Sequence, residues 1–93
     1  MLKWLEEWYK SQCDGEWEHY YGINIYNCDN PGWCVDIDIV DTSIERKDFN
    51  SVHYDNGVND WIICQVKEGQ FRGSGDTSKL EEIIHIFKEW VEQ

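Results

Sequence analysis

The sequence predicts an α+β domain: an antiparallel sheet of four to five strands, with an N-terminal and a C-terminal helix packed on one face. Three observations carry that expectation. Apolar residues recur at helical spacing near both ends of the chain. Between the ends, short runs alternate apolar and polar residues, as strands with one buried face do. Turn-forming clusters, Asp29-Asn30-Pro31-Gly32 and Asp55-Asn56-Gly57, separate those runs. Ninety-three residues suffice for one small domain, spanning 1–93, and not for two.

The elements follow in order. Residues 2–12 bring Leu2, Trp4, Leu5, Trp8 and Tyr9 to one helical face, and Asp14-Gly15 ends the helix. Residues 19–27 alternate Tyr21, Ile23 and Ile25 against Tyr20, Asn24 and Tyr26. Residues 33–40 alternate Trp33, Val35, Ile37 and Ile39 against Cys34, Asp36 and Asp38, which makes the two runs a hairpin with one wet face. Residues 41–48 read as a polar loop and 49–54 as a short edge strand. Residues 60–67 form another strand, and Glu68-Gly69 a tight turn. Gln70 to Gly73 is then a short return strand, which Gly73-Ser74-Gly75 breaks. Ser78 and Glu81 have capping-box spacing. Leu80, Ile83, Ile84, Phe87, Trp90 and Val91 complete a helical stripe.

Charge narrows the function. The chain carries 19 acidic and 8 basic residues, a net charge of −11. That excludes a nucleic-acid binder of the usual kind, because phosphate needs Lys and Arg. It also disfavours anionic membranes. Disorder is disfavoured too, since 41% of residues are hydrophobic and six are Trp. Residues 14–60 hold eleven acidic and two basic groups, so the hairpin and its loops carry −9 of the imbalance. Asp36 and Asp38 share one strand face, beside Asn24 and Tyr26 in a simple register. Little in the free domain offsets that repulsion, whereas a basic partner would. Acidic residues also keep a domain soluble, but solubility needs only a modest net charge.

The N-terminus has Glu6 and Glu7 where a signal peptide would be apolar, and no window approaches a membrane span. The expected location is cytoplasmic, with Cys13, Cys28, Cys34 and Cys64 reduced. Cys13 and His19 invite a nucleophile reading. The carboxylates of Asp14, Glu16 and Glu18 would raise a nearby thiol's pKa, so no catalytic residue is expected. Neither Cys13-x5-His19 nor Cys28-x5-Cys34 has the spacing of a zinc knuckle, and Asp36-x-Asp38 lacks a third calcium ligand. No metal or cofactor is expected. Gly73-Ser74-Gly75 lacks the Lys of a phosphate loop and reads as a link into a helix. Trp8, Trp33 and Trp90 fall at core positions, while Trp61 competes with an inward set of Ile62, Cys64 and Val66. Trp17 has no periodic reason to be buried and reads as an interface anchor.

Several strings are distinctive: Trp4-Leu5-Glu6-Glu7-Trp8-Tyr9, Cys13-Asp14-Gly15-Glu16-Trp17-Glu18-His19, Asp29-Asn30-Pro31-Gly32-Trp33 and Phe71-Arg72-Gly73-Ser74-Gly75. With Asp60-Trp61-Ile62 and the helical C-terminus, the chain resembles the immunity protein 53 family of bacterial polymorphic toxin systems. The likeness runs through nearly the whole chain and is strongest at 4–39 and 60–91. It implies a small cytosolic protein that binds and neutralises a cognate toxin domain and catalyses nothing. The charge adds that the toxin is basic, as a nuclease would be. The expected partner-binding residues are Glu16, Trp17, Glu18, Tyr26, Asp36 and Asp38, with Asp41 and Glu45 tuning specificity. The competing readings are an acidic adaptor or chaperone for a secreted effector, and a small enzyme using Cys13.

Overall fold

The computed structural model describes residues 1–93. The chain runs α1 (Leu2–Gln12), α2 (Trp17–Tyr20), β1 (Ile23–Cys28), β2 (Gly32–Asp38), β3 (Val52–Asp55), β4 (Trp61–Lys67), β5 (Gln70–Gly75) and α3 (Leu80–Glu92). The five strands make one sheet in the order β1-β2-β5-β4-β3, every pair antiparallel. A hairpin, β1–β2, and a three-stranded meander, β3–β4–β5, build it. β4 turns into β5 at Glu68 and Gly69, both at positive φ, the geometry that matches strand twist in a two-residue turn. β5 then pairs with β2, which joins the hairpin and the meander into one sheet.

Register divides the sheet into two faces. Val35, Ile37, Gly73, Phe71, Ile62 and Cys64 point to the helices and are buried. α3 lays Ile83, Ile84, Phe87 and Trp90 on them. α1 adds Leu5 and Trp8, and Trp8 meets Phe87 edge-on at 4.9 Å between ring centroids. The opposite face carries Asn24, Tyr26, Asp36, Asp38, Arg72 and Gln70. No helix is long and apolar enough to cross a membrane.

Four elements differ from the sequence expectation. The strand expected over 19–27 starts at Ile23, because Asp14 draws the chain into a helical turn first. Its Oδ1 accepts the N–H groups of Glu16 and Trp17 at 3.0 and 2.9 Å, and α2 follows. The edge strand expected over 49–54 is only Val52–Asp55. Phe49 turns inward instead, 5.5 Å from Phe71 and 5.2 Å from Trp90 between centroids.

The third difference is the largest. Gly73-Ser74-Gly75 does not break the return strand; it completes the central strand of the sheet. Glycine is there for closeness, not for a bend. A Cβ on Gly73 would lie 2.4 Å from Ile83 Cγ2, and one on Gly75 2.6 Å from Lys79 Cβ. α3 can lie directly on β5 only because those side chains are missing. Fourth, Ser78 does not cap α3: the N-cap is Lys79, with no side-chain cap. Ser78 donates both its N–H (2.8 Å) and its Oγ–H (2.6 Å) to Asp76 Oδ1. Asp76, 2% exposed, therefore organises the entry to the helix.

Candidate functional site

The acidic hairpin is more ordered by internal bonds than its composition suggests. On the open face, Asp36 sits between Asn24 of β1 and Arg72 of β5. The Tyr26 hydroxyl donates to Asp36 Oδ2 at 2.9 Å. That bond stabilises the neutral phenol beside a carboxylate and pushes the Tyr26 pKa up to about 12. Asp38 accepts the Gly22 N–H on Oδ2 and the Gln70 amide on Oδ1, both at 2.9 Å. Gln70 in turn accepts from Arg72 Nε at 3.1 Å. The expectation that Asp36 and Asp38 lack compensation within the domain is therefore corrected. Donors to both carboxylates offset part of their repulsion, while Arg72, opposite Asp36 in the register, pairs with Glu68 at 3.8 Å. Arg72 falls within the expected return strand, but only the pairing of β5 with β2, which local patterning does not reveal, sets it beside Asp36.

The connector between α1 and β1 is built the same way. Glu18 accepts the N–H of Asp14 at 3.0 Å and of Gly15 at 2.9 Å. The two backbone donors on Asp14 hold its carboxyl below the usual carboxylate range. Trp17, expected on the surface, is only 4% exposed. Its indole N–H donates to the Val40 carbonyl at 2.9 Å, and its ring meets Trp8, Tyr9 and Tyr21. Burial in an aromatic cluster, not exposure in an acidic turn, fixes its role. The ring pins α2 beside the loop that follows β2.

That tether brings candidates from three segments to one end of the sheet. Glu16 and Glu18 come from the connector, Asp38 ends β2, and Asp41 and Glu45 begin the next loop. Asp41 has a φ of 61°, and its N–H donates to Glu45 Oε1 at 3.1 Å. Glu16, Asp41 and Glu45 are exposed, and Tyr26 is 48% exposed further along β1. Tyr26 and Asp36 form a separate pair in the middle of the hairpin, apart from that end cluster.

The cysteines sit in different surroundings. Cys13 Sγ donates to the Tyr9 carbonyl at 3.3 Å. Burial raises the Cys64 thiol to about 12, and burial together with neighbouring Cys28 raises Cys34 to about 11. Both thiols are protonated at neutral pH, which makes them poor nucleophiles. No three His, Cys, Asp or Glu side chains converge as a metal cage does.

The molecule is a small α+β domain with an acidic hairpin whose carboxylates are ordered by internal hydrogen bonds. The chain belongs to the immunity protein 53 family, which it matches over residues 2–92. No curated protein and no solved structure matches it. The family's role is toxin neutralisation, and it implies an inhibitor that is not an enzyme.

Proposed function

We propose that this chain is the immunity protein of a polymorphic toxin system, and that it blocks a basic cognate toxin domain by covering it with its acidic surface. One observation carries the finer part of this reading. Within a member of an immunity family, −9 of the net −11 lies in residues 14–60, the hairpin and its loops. Such a field steers a cationic partner before contact and holds complementary groups after it. Glu16, Asp36, Asp41 and Glu45 meet the toxin's Lys and Arg side chains. Glu18 and Asp38 keep the loops in shape by accepting backbone hydrogen bonds.

The test is stopped-flow association with the toxin domain encoded beside this gene. Between about 0.05 and 0.5 M salt the rate constant falls at least tenfold, because the screening length shrinks several-fold. An unchanged rate contradicts electrostatic recognition. A toxin that binds but stays active contradicts neutralisation and favours an escort.

A further inference from the structure

β1 is a sheet edge with unused backbone groups. Its direction follows from two hydrogen bonds. Asp38 N–H donates to the Gly22 carbonyl, and Ile39 N–H donates to Gly69 on the other side, each at 3.0 Å. Antiparallel alternation carries that pattern along the hairpin. Asn24, Tyr26 and Cys28 therefore bond β2, and Ile23, Ile25 and Asn27 turn their N–H and C=O groups outward. No backbone or side-chain bond elsewhere in the fold uses those outward groups.

Natural sheets guard such edges with charge, proline, bulges or short strands. β1 reads Ile-Asn-Ile-Tyr-Asn-Cys, six residues with no charge and no proline, in a chain that is 29% charged. Beside it lies a groove of 450 Å³ between α1 and β1, walled by Leu2, Leu5, Tyr9, Ile23 and Ile25 with Glu6 at its side. Leu2 is 59% exposed and Ile25 40% exposed. A strand added about 4.8 Å from β1 would enter this groove. One set of its side chains would meet those apolar walls. The alternate set would emerge on the open face with Tyr26 and Asp36.

We infer that this edge and groove receive an extended toxin segment, alternating apolar residues with Lys or Arg, which extends the sheet beyond β1. The inference rests on the toxin-neutralising reading and says how the toxin docks. Charge decides the occupant. Glu6, Asp29 and Asp36 surround the edge, and a second copy of this chain would bring another −11 against them. A basic strand gains where a second copy is repelled.

Hydrogen exchange tests it without mutation, comparing the chain alone with its complex with the neighbouring toxin domain. In the complex, the amides of Ile23, Ile25 and Asn27 slow by about 100-fold or more, as strand pairing requires. Ile25→Pro removes one outward donor, which an edge strand tolerates. It weakens toxin inhibition by about tenfold or more. Unchanged exchange at β2 and β5 certifies that the variant folds. Ile25→Lys, which keeps the backbone donor and charges the groove, weakens inhibition as well. If the toxin is inhibited while those three amides exchange freely, the docking edge is wrong and the immunity role stands. If they are protected in the chain alone, in a concentration-dependent dimer, the occupant is a second copy and the inference is overturned. If the toxin neither binds nor is inhibited, the functional reading itself fails.

Discussion

The two edges of the sheet are treated in opposite ways. β3 has four residues, ends in Asp55, and is tied down at its tip. Tyr54 donates to Asp60, Asn56 donates to Tyr54, and Asp60 accepts the Lys79 ammonium at 2.8 Å. β1 has six residues, no charge within it and an open apolar groove beside it. Each edge is separated from the central β5 by one strand, so the contrast is not a matter of position in the sheet. One edge is short, charged and pinned at its tip by side-chain bonds, and the other is longer and uncharged. The difference teaches where to look for a partner in an acidic protein: at its uncharged strand.

Breaking what the edges share gives the largest effect. Phe87 of α3 packs between α1 and the sheet and meets Trp4, Trp8, Phe71 and Trp90. Phe87→Ala costs about 3–5 kcal/mol, measured by urea unfolding. Both edges should loosen together. Gly73→Ala forces a methyl against Ile83 and costs about 1–3 kcal/mol in the same measurement. A neutral result there would mean that α3 does not lie as close to β5 as described.

The next prediction concerns the β3 side alone. Asp76 is held well below the usual carboxylate range, first by Lys79 and then by Ser78. Its folded pKa is depressed, so its contribution is present above the unfolded value near 3.9 and is lost as pH falls toward the folded one. The urea midpoint should begin to fall as pH drops through about 4 and should keep falling as the solution is acidified further. Asp76→Asn should lower the midpoint at neutral pH and flatten that acid limb. A variant with the wild-type acid limb would remove Asp76 from the account. The smallest effect belongs to β1. Tyr26→Phe should remove the phenol that titrates near 12 from the ultraviolet titration and barely move thermal stability. Its effect on toxin binding should be larger than its effect on folding.

Side chains with strong periodicity made much of the architecture legible. α1 occupies the expected 2–12, and β2 buries Val35 and Ile37 as its alternation requires. α3 follows the stripe from Leu80 onward. What stayed hidden has no periodicity to show. Gly73 and Gly75 carry no side chain, so a central strand looked like a break. Trp17 is buried by a tether to Val40, far away in sequence, while its neighbours are acidic. Phe49 packs on Phe71 and Trp90 from outside any strand. Of the candidate surface, the acidic residues were visible in the sequence. The groove between α1 and β1 was not, because only the sheet order makes β1 an edge.

The central claim is that this chain silences a toxin by binding it. Co-expression tests that most directly, using the toxin domain encoded next to this gene in a host that lacks both. Cells making the domain alone should die, and cells making both proteins should grow at the rate of the empty host. Cells that die despite ample folded protein would contradict the account.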